Sequence, residues 1–322
     1  MSIVPMADGA IVESTVMDSK AVVQALRQAT DIARPSTRRV CFAVSGNAVI
    51  MKNIVIPVMT EFELETQIEY EAEQYLPFDI DDIYLDFQIL GASPHDPGSM
   101  EVLIVACKRD IIDDYQLVLS DAGLQAGCVD CCVFCLENVF ELIHSPTPVD
   151  KVTSLSPGEE HAAALINIGA STININVICD GRTRFVRDQF YGGDNLTQEI
   201  MKAHSLSQQA AEQVKLESFS GIGDRVLEEF YVHLISDLGR SLDYYAANNA
   251  EHPINKMYLS GGCALIPGIT SELEQRLGIA TEVFNPFQNI TVPRRKYDQA
   301  YIDEIGPRMV VPLGLALRSF DE

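Results

Sequence analysis

The stretch "LINIGASTININVICDGRTRF", residues 165–185, carries the strongest fold signal in the chain. Two runs rich in β-branched residues are separated by the small residues Gly169, Ala170 and Ser171, and a second tight turn follows at Asp180 and Gly181. Such runs, bounded by turn residues, predict a β-hairpin. The first turn also offers hydroxyl groups and backbone N–H groups, which is the composition of a loop that binds phosphate.

Two further turns of small residues lie in the same half of the chain. They are "YGGDNLT" at 191–197 and "LSGGCALIPG" at 259–268, and each follows a predicted strand or precedes a predicted helix. Any one of them alone is more simply explained as an ordinary turn, because glycine is the usual residue where φ is positive. Three such turns in this order indicate a shared ligand site.

Composition and charge restrict the classes of partner. The chain has 322 residues, of which 47% are hydrophobic, and a net charge of −23 from 23 basic and 46 acidic side chains. That charge opposes binding to nucleic-acid phosphates and to anionic lipid headgroups, so no nucleic-acid partner and no direct membrane insertion are expected. The N-terminus does not resemble a signal peptide, and no apolar run is long enough to span a bilayer. We therefore expect an intracellular protein with a protein partner.

Predicted strands and helices alternate along the chain, which is the pattern of an α/β protein. The first predicted helix is "SKAVVQALRQATDIA", with Asp18 as its N-terminal cap. A β–α–β–β–α set from Arg39 to Gly123 is predicted to form a compact subdomain. Residues 145–160, rich in proline and serine, predict a linker.

An acidic helix is predicted over "MTEFELETQIEYEAEQYLP", residues 59–77, with Thr60 as its cap and Pro77 as its end. Its exposed acidic face is expected to be solvated, and binding of a partner is the alternative. Its apolar residues are expected to share one buried face: Phe62, Leu64, Ile68, Ala72 and Leu76.

Four of the eight cysteines lie in "CVDCCVFC", residues 128–135. A zinc, iron–sulfur or redox site is one interpretation of this cluster. The spacing i, i+3, i+4, i+7 is also that of an apolar helix stripe, and reduced cysteine packs like a small hydrophobic residue. We favour packing, and no metal ligand is predicted. No Walker loop, dinucleotide fingerprint or nucleophile elbow occurs in the sequence, so no catalytic residue is predicted.

Several of these motifs together resemble the PilM family of type IV pilus assembly, actin-like proteins that are related in fold to FtsA. The resemblance covers nearly the whole chain and is carried by "EAEQYLPFDIDDIYLDFQILG", "INIGAS", "YGGDNLTQEI", "LSGGCALIPGI", "NPFQNI" and "PLGLALRSF". It implies a two-domain actin-like α/β fold of the ribonuclease H-like class, with an inserted 1C-type subdomain. The implied boundaries are 1–38 for a remnant of subdomain 1A, 39–123 for the 1C-like subdomain with a flanking 1A strand, 124–144 for a return to 1A, 145–160 for the linker, and 161–322 for the second domain (2A/2B) with a closing helix.

The resemblance also implies a function, namely a cytoplasmic adaptor that binds ATP with Mg²⁺ and hydrolyses it slowly at most. Its partners would be the cytoplasmic N-terminal peptide of PilN, bound in a cleft beside the 1C-like subdomain, and other pilus assembly proteins, so that it acts at the inner membrane through its partner. The implied nucleotide-binding residues are Asn167, Gly169, Ala170, Ser171, Thr172, Gly192, Gly193, Glu212, Lys215, Gly261, Gly262 and Ala264.

Two departures from the family pattern modify these expectations. The "DIGSS"-like first phosphate loop of PilM relatives is not found ahead of "DGAIVES", so ATP binding is expected to be weakened in the chain as written. Asn167 stands where many actin-like proteins have Asp, and an amide cannot supply the charge that helps to hold Mg²⁺; it is equally explained as a strand-end amide that makes a local bond. An active ATPase or sugar kinase of the same superfamily is the alternative function.

Overall fold

The computed structural model describes residues 1–93, 96–144, 162–179, 181–217, 221–288, 290–293 and 297–318. The linker predicted at 145–160 lies outside these ranges. The chain divides into two compact units, Met1–Val129 and Asp130–Glu322. The finer subdomain boundaries implied by the resemblance stay predictions.

The first unit contains short and long strands around three helices. Its helices are α1 (Ser19–Ala33), α2 (Glu61–Glu73) and α3 (Arg109–Asp121). Its strands, the last of which runs into the second unit, are β1 (Ile11–Val12), β2 (Thr15–Val16), β3 (Arg39–Val44), β4 (Val49–Pro57), β5 (Ile83–Ala92), β6 (Ser99–Lys108) and β7 (Gln125–Cys131).

An antiparallel sheet in the order β4-β6-β5 carries α2 on one face, while β1 pairs with β2 and β3 pairs with β7. Helix α2 starts as predicted, with a capping box in which the Thr60 hydroxyl accepts from the Glu63 N–H and the Glu63 carboxylate accepts from the Thr60 N–H. Leu64, Ile68 and Ala72 are buried against the sheet. The prediction for Phe62 is wrong, because its side chain is 75% exposed on the opposite face.

The second unit is built on one five-stranded sheet. Its strands are β8 (Ala162–Ile168), β9 (Ile173–Cys179), β10 (Arg182–Gln189), β11 (Ile254–Ser260) and β12 (Ala280–Val283). Its helices are α4 (Cys132–His144), α5 (Gly193–His204), α6 (Gln208–Glu217), α7 (Asp224–Asn248), α8 (Ile269–Leu277), α9 (Gln299–Ile305) and α10 (Val310–Leu317).

The order of this sheet is β10-β9-β8-β11-β12, with an antiparallel meander from β8 to β10 and with β11 and β12 parallel to β8. Helices α5 to α8 contribute buried residues on one face, and α4 and α10 contribute them on the other. Every residue of β9 is buried for this reason, including Asn174 and Asn176, whose side chains are hydrogen-bonded. Within the described ranges, no helix has both the length and the apolar composition needed to cross a bilayer.

Helix α10 lies very close to α4. A Cβ atom at Gly314 would lie 2.3 Å from the carbonyl oxygen of Cys135, so only glycine allows this approach. Just beyond α10, Arg318 donates from Nε to Oδ2 of Asp130 at 2.7 Å. The other oxygen of Asp130 accepts from the Cys131 N–H at 2.7 Å. The buried Asp130 carboxylate therefore joins the start of α4 to the end of the described chain.

The cysteine cluster is not one helix stripe, so that part of the prediction is wrong. Cys128 and Cys131 belong to β7, and only Cys132 and Cys135 belong to α4. Cys131 and Cys135 are buried, and burial raises the pKa of the Cys135 thiol far above its usual range. Among the described residues, no group of three or more His, Cys, Asp or Glu side chains could hold a metal ion.

One carboxylate in this unit is partly removed from water. The Thr183 hydroxyl lies 2.6 Å from Oε2 of Glu137 on α4 and 3.0 Å from Oδ1 of the fully buried Asn176. Burial raises the pKa of Glu137, although the hydrogen bond from Thr183 acts in the opposite direction. Ionisation of Glu137 therefore opposes folding.

We predict that the stability difference between Glu137→Gln and the parent shifts in favour of the variant as pH rises. Because the pKa of Glu137 is higher in the folded than in the unfolded state, the parent loses stability as pH rises through the window above the ordinary glutamate pKa. Glutamine does not titrate and can still accept from Thr183. Thermal unfolding from pH 4.5 to 8 measures the difference, with the exposed Glu251→Gln as control. A difference that is independent of pH would contradict the prediction.

Candidate functional site

The three glycine turns of the second unit meet at one end of its sheet. Strand β8 runs into the turn after Ile168, and its parallel neighbour β11 runs into the turn that starts at Gly261. Ser260 pairs with Asn167 in the register, so the carboxyl ends of the two strands are level. Ligands of α/β sheets commonly bind at this edge.

The turn before α5 docks directly on the turn of the β8–β9 hairpin. The Gly193 N–H donates to the carbonyl oxygen of Gly169 at 3.0 Å, and the Asp194 N–H donates to that of Ala170 at 2.8 Å. A Cβ atom at Gly192 would lie 2.5 Å from the Ala170 oxygen. Glycine is therefore needed here so that the two backbones can approach each other.

The third turn is held in the same way. Gly261 has φ +89°, and a Cβ atom there would lie 2.2 Å from the carbonyl oxygen of Ile168. Its N–H donates to the carbonyl oxygen of Pro307 at 2.8 Å. Gly262 is exposed, whereas Ala264 is buried beneath the turn. The N–H groups of Gly193, Asp194 and Gly261 thus bind protein carbonyls and are not oriented toward a ligand.

The tip of the β8–β9 hairpin is the part of this edge that can donate to an anion. Ala170 and Ser171 are exposed and Thr172 is half-buried. The Gly169 N–H is used within the turn, since it donates to the Thr172 carbonyl oxygen at 2.9 Å. The hydroxyls of Ser171 and Thr172 are therefore the side-chain donors at this tip.

Asn167 is the second member of a chain of side chains across four strands. The Ser260 hydroxyl lies 3.3 Å from Oδ1 of Asn167, whose Nδ2 donates to Oδ1 of Asn174 at 2.9 Å. Nδ2 of Asn174 in turn donates to Oδ1 of Asp188 at 2.8 Å. Of the two explanations offered for Asn167, the strand-end amide agrees with these contacts, although its bonds cross strands. Its oxygen faces Ser260 instead of standing free for a hydrated cation.

Glu212 and Lys215 come together on α6, as the sequence predicts for neighbours at i and i+3. Nζ of Lys215 donates to Oε1 of Glu212 at 2.5 Å, to Oγ1 of Thr197 at 2.7 Å and to the carbonyl oxygen of Gly193 at 3.1 Å. The Thr197 hydroxyl also contacts Glu212. Lys215 is 15% exposed and Glu212 is 36% exposed, so the pair fixes the start of α5 and leaves the carboxylate partly open to solvent.

Sequence reasoning missed three residues at this edge. Cys263 is buried with its Sγ 3.5 Å from the Gly169 oxygen, and burial raises the pKa of its thiol to about 12. Arg308 follows Pro307 and places its guanidinium near Gly262. Thr197 lies one turn after Gly193 inside a quoted motif, so its position on α5 was a usable signal. No sequence signal links Arg308 to residues so far away along the chain.

We predict that Asn167→Asp destabilises the protein by about 1–3 kcal/mol, the usual penalty for a buried group that loses its partner. The change removes the donor to Asn174 and places a carboxylate beside the Asn174 oxygen. Urea unfolding at neutral pH measures the loss, with Asn53→Asp on an exposed part of β4 as the matched control. Equal stability of the two variants would contradict this assignment.

Comparison with solved structures supports the fold. A structure described as the PilM-PilN type IV pilus biogenesis complex matches with a TM-score of 0.83 and 28% identity, over 98% of this chain and 89% of that chain. MreB5 of Spiroplasma citri bound to AMPPNP matches with a TM-score of 0.50 and 12% identity, over 95% of this chain and 77% of that chain. The actin-like α/β fold class expected from the sequence is confirmed.

The family model described as type IV pilus assembly protein PilM matches residues 1–320. This range contains all three glycine turns, the acidic helix α2 and the C-terminal helix α10. The chain belongs to the PilM family of type IV pilus assembly proteins.

Proposed function

We propose that this protein is an adaptor of type IV pilus assembly, which binds the cytoplasmic N-terminal peptide of PilN and binds ATP at the glycine turns of its second unit. Membership of the PilM family and the match to a PilM-PilN complex support the first part. The geometry of the hairpin tip supports the second. ATP acts as a structural ligand or a slow switch, since the sequence has none of the catalytic motifs considered above.

A depression in the first unit is the observation that carries the peptide-binding part. It has a volume of about 280 Å³ and lies between the β1–β2 hairpin and the start of α3. The hairpin is fixed there by the Ser14 hydroxyl, which donates to the carbonyl oxygen of Ser45 at 2.8 Å. The lining residues are Val12, Glu13, Thr15, Met17, Ala48, Lys108 and Ile111.

The depression has the chemistry of a short peptide site. Val12 and Met17 are 47% and 66% exposed, so they are available to cover apolar side chains of a peptide. Lys108 and Glu13 add one charge of each sign, which can orient the ends and polar groups of an extended segment. This position also agrees with the expectation of a cleft beside the 1C-like subdomain.

We predict that Val12→Asp combined with Met17→Asp weakens binding of a PilN N-terminal peptide by about tenfold or more. The two carboxylates remove apolar contacts, and a loss of about 1.4 kcal/mol of binding free energy raises Kd tenfold. Fluorescence polarisation with a labelled peptide gives the affinity. Val58→Asp, another exposed apolar residue of the same unit, is the control that leaves affinity unchanged. Unchanged affinity in the double variant, or no binding by the parent, would refute the docking site.

The edge formed by the three turns has hydrogen-bond donors that suit the phosphates of a nucleotide. Ser171 and Thr172 provide hydroxyls and amides for phosphate, and Gly262 is exposed where the backbone would approach the adenosine. Glu212 is partly open to solvent for contact with the ribose. Since Asn167 is neutral and engaged with Ser260 and Asn174, Mg²⁺ would be held chiefly by the phosphates that it accompanies.

We predict that Ser171→Asp lowers ATP affinity by about tenfold or more, because a carboxylate at the hairpin tip repels phosphate at short range. Ser171 is exposed, so the fold should be unaffected. Isothermal titration calorimetry with Mg·ATP measures the effect, with the exposed Ser36→Asp as a control of equal charge. Equal affinity in both variants would place the phosphates elsewhere, and ATP turnover stimulated by a sugar would favour the kinase alternative.

The same proposal gives a location. A PilM-like adaptor reaches the inner membrane through PilN, and the charge of −23 makes direct adsorption to anionic lipid unfavourable. Contacts with other pilus assembly proteins then follow from its position beneath that membrane.

A further inference from the structure

Arg308 is a cation in an otherwise buried segment. Residues 305–310 are all buried except Arg308, which is half-buried. Among the residues that the structure describes, Arg308 has neither an ion pair nor a hydrogen bond. Lys215 and Arg318 in the same unit are each paired with a carboxylate. A cation that loses part of its water without gaining a partner costs free energy, and a ligand that contacts it would offset this cost.

The backbone around Arg308 is held by contacts that do not involve its side chain. The Pro307 carbonyl oxygen accepts from the Gly261 N–H at 2.8 Å, which joins the segment to the third glycine turn. A Cβ atom at Gly306 would lie 3.2 Å from Oδ1 of Asn285, so the segment also packs closely on the "NPFQN" turn. The fold therefore positions Arg308 beside the glycine turn, although no contact of the guanidinium itself requires this place.

Gly262 differs from the other glycines of the site. At Gly192 and Gly261 a Cβ atom would lie 2.5 and 2.2 Å from backbone oxygens, so packing excludes any side chain there. At Gly262, which is exposed, a Cβ atom would meet Nε of Arg308 at 3.9 Å, an ordinary contact, and its φ lies outside the left-handed region. Neither packing nor backbone conformation requires glycine at this position. Its bare backbone leaves open space beside the Arg308 guanidinium.

We propose that Arg308 stacks on the purine base of the bound nucleotide and that the bare Gly262 leaves room for the ring. This inference rests on the proposed nucleotide site and adds a residue that determines which base it prefers. The guanidinium is planar, and it packs on the faces of aromatic rings. A purine has two fused rings and a pyrimidine has one, so the stacking contact is larger with a purine.

The surroundings of Arg308 suit a base better than a phosphate. Phosphate sites in loops usually combine several backbone N–H donors. In this turn the Gly261 N–H donates to Pro307, and the Ala264 N–H donates to the carbonyl oxygen of Gly261 at 3.3 Å. The neighbours of Arg308 in the chain, Pro307 and Met309, are buried and apolar. A flat ring needs open space and an aromatic or cationic surface, and Gly262 and Arg308 supply both.

Isothermal titration calorimetry with two probes tests the role of Arg308. The probes are Mg·ATP and magnesium tripolyphosphate, which has the phosphates without a base. We expect Arg308→Met to weaken ATP binding by about threefold to thirtyfold, the range of a cation–π contact, and to leave tripolyphosphate binding unchanged. The preference of the parent for ATP over CTP should narrow in the variant. Arg187→Met, an exposed arginine on β10, removes the same charge and is the control.

A substitution at Gly262 tests the space for the ring. We expect Gly262→Leu to weaken ATP binding by about tenfold or more, because its side chain fills that space, with tripolyphosphate binding and the melting temperature unchanged. Gly98→Leu, at an exposed glycine that also lies outside the left-handed region, is the control. In the parent, the Nε–H resonance of Arg308, assigned by its loss in Arg308→Met, should move upfield with ATP and not with tripolyphosphate, since a stacked ring shields it.

The outcomes separate this inference from the nucleotide site on which it rests. A parent that binds neither probe refutes the site and the inference together. If the parent binds ATP and Arg308→Met binds it equally well, the inference alone is wrong. Equal losses for ATP and tripolyphosphate in Arg308→Met would make the arginine a phosphate ligand, which also overturns the proposal. Thermal unfolding checks that each variant is folded.

Discussion

The close approach of backbones at the glycine turns is the constraint on which the second unit depends. Gly192 lies against the hairpin turn and Gly261 lies against the end of β8, at distances that leave no room for a Cβ atom. Each contact joins segments that are distant in sequence, and backbone hydrogen bonds fill the junction. The tip of the hairpin, residues 170–172, lies on this junction, where backbones meet without side chains between them. Positioning on a rigid base lowers the ordering entropy that a bound anion must overcome.

Local signals in the sequence predicted the elements well. Helix α1 spans the residues expected after Asp18, and Thr60 caps α2, because both depend on interactions within one turn of the chain. The prediction for Phe62 is wrong because α2 has apolar residues on two of its faces, and the sheet covers only one of them. The cysteine cluster was assigned to one helix because its spacing fits a helix, but β7 continues to Cys131.

The candidate site was predictable in its position and not in its contacts. Parallel strands and glycine turns locate the edge, and the sequence supplies both. The N–H groups of Gly193, Asp194 and Gly261 donate to the carbonyl oxygens of Gly169, Ala170 and Pro307. Every residue has a carbonyl, so nothing in the sequence marks these three acceptors. The bonds of Asn167 to Asn174 and Ser260 depend on strand register, which the hydrophobic pattern alone does not fix here, because both faces of these strands are buried.

The contact between Asp130 and Arg318 spans 188 residues, and this has a consequence for synthesis. During translation, α4 leaves the ribosome long before α10, whose Gly314 and neighbouring apolar residues cover it. Leu136 and Val139 therefore lack the cover of α10 for about half of elongation, although Leu165 and Ile178 of the sheet can pack on them earlier. A chaperone that holds this segment, or a pause late in translation, would bear directly on the yield of folded protein.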